Sequence, residues 1–207
     1  TNALGQTTKV VHDQTLGLPA TITDANGLVT SRKYDGFGRM TEEVRPDGSK
    51  TTISYSLCKG APCPAQAVHY VRTESSGRSP SVVYYDLLDR QVRSETVGFD
   101  DKPIFVDTVY NARGQAQKAS DPYFSGATPQ WTSYTYDLLG RTLTESRPNG
   151  ALTRSEYKGF SVQTFNPLNQ SNLRVVNSQG WLMRSSDVLS RTVRYTYDSF
   201  GNLLTLV

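Results

Sequence analysis

Few residues in this 207-residue chain could do chemistry. Cys58 and Cys63 are its two cysteines, and His12 and His69 its two histidines. A structural zinc site draws on four ligands, and of the histidines only His69 stands near the cysteines in sequence. A disulfide closing the short loop is the preferred reading for an extracellular chain, and two free thiols the reading for a cytosolic one. Adjacent carboxylates occur at Glu42-Glu43 and Asp100-Asp101. Neighbours along a strand point to opposite faces, so neither pair shares a proton without a bulge. The chain has no Gly-x-Ser-x-Gly elbow and no glycine-rich phosphate cradle. Trp131, Trp181 and the twelve tyrosines offer ring faces for sugars. In a repeat, rings at equivalent positions are expected to pack between neighbouring units. No catalytic, metal or cofactor residue is assigned, and an enzyme is not expected.

What recurs is a phrase. Tyr34-Asp35-Gly36-Phe37-Gly38-Arg39 returns as Tyr136-Asp137-Leu138-Leu139-Gly140-Arg141 and as Tyr197-Asp198-Ser199-Phe200-Gly201-Asn202. Looser copies are Tyr85-Asp86-Leu87-Leu88-Asp89-Arg90 and Tyr110-Asn111-Ala112-Arg113-Gly114-Gln115, and Asn177-Ser178-Gln179-Gly180 is a copy that has lost its tyrosine. A second turn, Pro46-Asp47-Gly48 or Pro148-Asn149-Gly150, follows the two complete copies. The same 21-residue step separates Tyr34 from Tyr55, Tyr136 from Tyr157 and Val176 from Tyr197. A fixed phrase at a fixed period marks a repeat array.

The phrase has a local physical meaning. The tyrosine ends a strand, the Asp carboxylate folds over turn N–H groups, and glycine supplies a left-handed backbone. The arginine opens the return strand, where its guanidinium can reach the aspartate or lie on a tyrosine ring. The Asp-Gly or Asn-Gly pair is a two-residue hairpin signal. Each unit is therefore expected to run strand, four-residue turn, strand, two-residue turn. Composition agrees: 16 Gly, 10 Pro and only 36% hydrophobic residues suit many short, half-buried strands. Side chains alternate around Tyr134/Tyr136, Tyr195/Tyr197 and Met40/Val44, and no window carries helical periodicity. Residues 57–66 and 120–130 break the period and are expected to be loops projecting from an edge or face.

The 22 basic and 19 acidic residues give a net charge of +3, with Lys and Arg scattered, so neither a nucleic-acid nor a membrane partner is expected. No run of 18 apolar residues exists, and the N-terminus has no signal-peptide pattern. Asn2–Gln6 resembles the tail of a turn phrase, and the chain stops one strand after Asp198. The expectation is a single repeat segment, 1–207, of a longer polypeptide whose export signal would lie elsewhere.

These phrases resemble the YD repeats of bacterial Rhs proteins, of the B and C components of ABC toxin complexes, of SpvB-associated repeat proteins and of teneurins. Tyr34–Arg39 and Tyr136–Arg141 match at every defining position. Tyr85–Arg90 departs at Asp89, Tyr110–Gln115 at Asn111 and Gln115, and Tyr197–Asn202 at Asn202. The resemblance implies an all-β array of hairpins in a spiralling antiparallel sheet, part of a shell that encloses a toxin polypeptide in a secreted or cell-surface bacterial protein. The partners it implies are flanking repeats and the enclosed toxin. The family's self-cleavage motif has no counterpart here, and Asp121-Pro122 lacks the accompanying sequence. A segment of such a ribbon exposes two sheet edges, where self-association is expected unless charged residues and insertions prevent it. The alternative is a cell-surface or carbohydrate-binding repeat module.

Overall fold

A computed structural model describes residue 3, residues 5–60 and residues 62–207. Asn2 and Leu4 of the expected N-terminal turn remnant lie outside the described residues. Every regular element is a strand. The described residues form two compact units, one comprising residues up to Asp107 with Pro122–Thr128, the other Thr108–Asp121 with Pro129–Val207.

The first unit holds β1 (Lys9–His12), β2 (Pro19–Thr23), β3 (Val29–Tyr34), β4 (Met40–Val44), β5 (Lys50–Leu57), β6 (His69–Ser75), β7 (Ser81–Tyr85), β8 (Gln91–Val97) and the first part of β9 (Pro103–Tyr110). Each pairs antiparallel with the next. The second holds the rest of β9 with β10 (Ala116–Ser120), β12 (Trp131–Tyr136), β13 (Thr142–Ser146), β14 (Leu152–Lys158), β15 (Ser161–Phe165), β16 (Ser171–Val176), β17 (Leu182–Ser186), β18 (Thr192–Tyr197) and β19 (Leu203–Leu206). These too pair in succession. Within each unit the strands follow an antiparallel meander, and the described residues form nineteen strands, β11 (Tyr123–Phe124) included.

Two expectations are corrected. The 120–130 insertion is not simply a projecting loop, because β11 inside it pairs with β9, Tyr123 opposite Phe105 and Phe124 opposite Ile104. The second turn of each unit is not a two-residue hairpin. Arg45 N–H donates to the Ser49 carbonyl and Gly48 N–H to the Arg45 carbonyl, both at 2.9 Å, and Arg147–Ala151 repeats the pattern. The first turn has the same bonds, Asp35 N–H to Arg39 and Gly38 N–H to Asp35. Both are three-residue loops, longer than expected for the second turn and shorter than the four residues expected for the first: a type I turn followed by a left-handed residue that forms a bulge. Asp-Gly serves this geometry as well as the tighter one, since only Gly48 has positive φ (79°) and Asp47 does not.

That left-handed position unifies the array. It is occupied by Gly38, Gly114, Gly140, Gly180 and Gly201, and where glycine is replaced the backbone stays there: Asp89 at 62°, Asn169 at 60° and Ser190 at 62°. The last two belong to turns, 166–170 and 187–191, that the sequence reading passed over.

The strands bury little. Val82, Tyr84 and Val92 are the buried hydrophobics among the described residues. The chain leaves 14036 Å² accessible, against about 9,600 Å² for a compact chain of this size. Alternation of exposed and half-buried positions is clear in β3, β12 and β18 but absent from β4 and β9, whose residues are all intermediate. In β4 this follows from ion pairs on both faces: Glu42 with Lys33 and Lys50, Glu43 with Arg32 and Arg45. With few side chains in a common core, cross-strand pairs and turns carry the stability.

Gly140 sits at φ 84°, and a Cβ there would lie 3.2 Å from the Gln115 side-chain nitrogen. Gly140→Val is expected to destabilise the chain by about 1–3 kcal/mol. Urea denaturation checks this, and an unchanged midpoint contradicts it.

Candidate functional site

The candidate site is the repeat turn itself. In the complete copies one carboxylate holds the turn together. Asp35 Oδ1 accepts the N–H of Phe37 (2.9 Å) and of Arg39 (3.0 Å), and Oδ2 accepts the Arg39 Nε (2.7 Å). Asp137 binds Leu139, Arg141 and the Arg141 side chain in the same way. So does Asp86, a buried residue, with Leu88 and Arg90. The aspartate thus satisfies two turn amides and one cation at once.

The imperfect copies keep the acceptor and change the charge. Asn111 Oδ1 accepts the N–H of Arg113 and Gln115, while its Nδ2 donates to Gln115 Oε1 at 3.0 Å. Asn166 does the same with Leu168 and Gln170. Asp198 accepts the Asn202 side-chain amide at 2.8 Å. Asn177 caps Gln179 and Trp181, and Asp187 caps Leu189 and Arg191. An Asp–Arg ion pair has become an Asn–Gln or Asp–Asn amide pair of the same shape. The departures at Asn111, Gln115 and Asn202 are therefore substitutions within one geometry.

The arginine does both things expected of it. Arg39 pairs with Asp35 and lies 4.2 Å over the ring of Tyr55, and Arg141 pairs with Asp137 and lies 4.2 Å over Tyr157. The Tyr55 hydroxyl donates to the Met40 carbonyl, the Tyr157 hydroxyl to that of Thr142, each the residue after the stacked arginine. Tyr34 and Tyr136 likewise reach Pro19 and Ala116, the first residues of neighbouring strands.

This explains the 21-residue step: the tyrosine of one copy covers the arginine of the copy before. The same offset of 16 residues places His69 on Tyr85, stacked at 5.0 Å, and Trp181 against Tyr197 at 5.5 Å. His69 and Trp181 occupy the arginine's place in copies whose first turn is altered. The constant spacing from a cation or ring to the next tyrosine is a signal present in the sequence beyond the turn phrase itself. His69 and Trp181 also face the left-handed residue of the following turn. A Cβ on Gly201 would lie 2.8 Å from Trp181, and Asp89, at the equivalent position, meets His69 Nε2 at 3.2 Å.

Other candidate residues also have structural partners. Cys58 and Cys63 are joined by a disulfide. Trp131 lies beneath the Lys118 ammonium at 4.3 Å. Phe37, Arg39, Tyr55, Ser56, Leu57 and His69 line an open depression in the first unit. Among the described residues no group of three metal-ligating side chains forms.

Electrostatics follow the pairing. Hydrogen bonds from Lys33 and Lys50 hold the Glu42 carboxyl down at about 2. The Arg90 guanidinium lowers the Asp86 carboxyl below its ordinary value and the Asn202 amide lowers that of Asp198, while partial burial opposes the effect at Asp35 and Asp137 without cancelling the bonds from Arg39 and Arg141.

Fold and turns define a class, the antiparallel hairpin-repeat sheet with Asx-capped bulge turns. Two stretches, residues 12–50 and 176–207, match the family model described as RHS Repeat. Double-stranded DNA deaminase toxin A of Burkholderia cenocepacia (strain H111) is 27% identical over 177 residues, covering 72% of this chain and 11% of that protein. The crystal structure of TcdB2-TccC3-Cdc42 matches the fold with a TM-score of 0.77 at 12% identity, over 100% of this chain and 17% of that one. The crystal structure of TcdB2-TccC3 matches at 0.63 and 14% identity, over 97% of this chain and 15% of that one. The chain spans about a tenth of the curated relative's length and less than a fifth of these structures.

Because the folded carboxyls sit below their ordinary values, their stabilisation is present above the ordinary range and is lost as pH falls through the folded values. The urea midpoint is expected to decline between pH 4.5 and about 2, the interval over which Glu42 is held charged. A midpoint constant over that range contradicts the assignment. In a second test, Asp137→Ala lowers the melting temperature, whereas Asp137→Asn with Arg141→Gln, which copies Asn111 and Gln115, restores most of it. Equal losses in both variants would show that the shared turn geometry is not the stabilising feature.

Proposed function

We propose that this chain is a structural wall segment of a bacterial Rhs or toxin-complex type protein, one that helps enclose and protect a toxin polypeptide. The observation that carries the reading is the placement of large apolar residues at turn tips. In the second unit Leu138 is 86% exposed and Phe200 88%, on turns at one end of the strands, and Leu168 is 77% exposed at the other end. Apolar side chains recurring at turn tips on both ends of the strands suit surfaces covered in a larger assembly. A membrane or a single globular partner would cover one end of the strands, whereas neighbouring repeats of a continuous wall cover both. The partners are accordingly flanking repeats of the same polypeptide and the enclosed toxin, in a secreted or cell-surface protein.

The role is one of wall and not catalyst, since Asp35, Asp86, Asp137, Arg39, Arg90, Arg141, Tyr55, Tyr157 and His69 are engaged in turn closure and stacking. The edge strands β1 and β19, exposed along their length, are the surfaces where an isolated segment self-associates. Trp181 packs on Tyr197 and Trp131 beneath Lys118, which favours the wall over a sugar-stacking groove.

The test uses the complete polypeptide that contains this segment. The enclosed portion is expected to resist added protease, and Leu138→Asp with Leu139→Asp to raise its cleavage rate tenfold or more. Cleavage at one rate in both proteins, with the unmodified enclosed portion already susceptible, would contradict the role.

A further inference from the structure

Strand β11 stands apart from the rest of the sheet. It contributes two paired residues, and no turn links it directly to its partner β9. The loop that carries it is closed at its own base, where Asp121 N–H donates to the Gln130 carbonyl at 2.9 Å. The pairing of β10 with β12, Ser120 opposite Trp131 and Ala119 opposite Thr132, continues without it. Release of β11 therefore leaves the neighbouring strands intact.

Side chains, more than backbone, hold β11 down. The Tyr123 hydroxyl donates to Asp107 Oδ2 at 2.5 Å and accepts from Arg93 Nη2 at 3.0 Å. Arg93 grips the same carboxylate through Nε at 2.6 Å and Nη2 at 2.8 Å, and its guanidinium lies 4.5 Å over Phe105. The Tyr123 ring meets Phe105 edge-on at 5.7 Å. Ser125 N–H adds a backbone bond to the Pro103 carbonyl at 2.9 Å. The arrangement reads as a receptor: a charged pair that selects a phenol, an aromatic wall, and a strand edge whose backbone pairing is taken by β11.

We propose that the Pro103–Asp107 edge of β9 is a strand-addition site, filled here by the chain's own Tyr123–Ser125 and open to exchange with an extended peptide that presents a tyrosine followed by an apolar residue. Main-chain pairing supplies affinity in such sites and side-chain pockets supply selectivity. Arg93 and Asp107 are the selecting residues, because a phenylalanine in place of the tyrosine leaves their third partner missing. The internal strap competes with the incoming peptide and keeps the edge covered in its absence.

The experiment uses the full chain and a labelled peptide of residues 120–130. In the variant Tyr123→Gly with Phe124→Gly the peptide is expected to bind at least tenfold more tightly than to the unmodified chain. The same peptide with its tyrosine changed to phenylalanine should bind about tenfold more weakly, the size of one hydrogen bond to a charged group. Asp107→Asn in the opened variant should remove that preference. In parallel, Tyr123→Phe, which keeps the fold, should speed hydrogen exchange of the Ser125 amide about tenfold and leave that of Val106, paired with Ser94, unchanged. No binding to the opened variant, or equal binding of the two peptides, overturns the proposal. A concentration-dependent dimer of the unmodified chain that Tyr123→Phe abolishes also overturns it, in favour of strap exchange between copies.

Discussion

The turn that opens each repeat unit depends on one side-chain oxygen, while the Arg45–Ser49 and Arg147–Ala151 turns form the same backbone bonds without it. The Oδ1 of an aspartate or asparagine accepts the amides two and four residues on, which fixes the type I turn, the left-handed residue and the bulge in one stroke. The bulge sets register, and register decides which side chains share a face. With three buried hydrophobic residues and no large side chain fully buried among the described residues, no deep core corrects an error in register. Local geometry has to be specified at every hairpin, and this accounts for the persistence of the Asx position through copies that have lost tyrosine, glycine or arginine.

The second layer of organisation links successive copies. A cation or ring that opens one return strand lies on the tyrosine 16 residues later, and in the complete copies that tyrosine bonds to the backbone beside the cation it covers. Each such stack contributes about 0.5–2 kcal/mol, and each belongs to neighbouring units only. Stability of this kind grows with the number of copies and needs no larger core, as in other repeat proteins. A wall can be lengthened on these terms.

Much of this was legible in the sequence because the turn is a local device. Tyr-Asp-x-x-Gly-Arg names its own hydrogen bonds, so strand ends at Tyr34, Tyr136 and Tyr197 followed directly. Less legible were the turns at Asn166 and Asp187, where Asn169 and Ser190 stand in for glycine at positive φ. The type of the Asp47-Gly48 turn was misjudged, since that dipeptide suits two geometries and the difference lies in which residue turns left-handed. The pairing of β11 with β9 was illegible altogether. It rests on Arg93, Asp107 and Tyr123, which are distant in sequence and meet only after the meander is built.

The most direct measurement is residue-by-residue amide hydrogen exchange by NMR at neutral pH. Protection is expected at the fourth amide after each Asx cap, at Leu28, Arg39, Arg90, Gln115, Arg141, Gln170, Trp181, Arg191 and Asn202, equally for aspartate and asparagine caps. The first amides after the Asx, at Gly36, Leu87 and Leu138, should exchange freely. Exchange of the fourth amides as fast as the first, in the asparagine copies or throughout, would contradict the claim that a single side-chain oxygen specifies the hairpin.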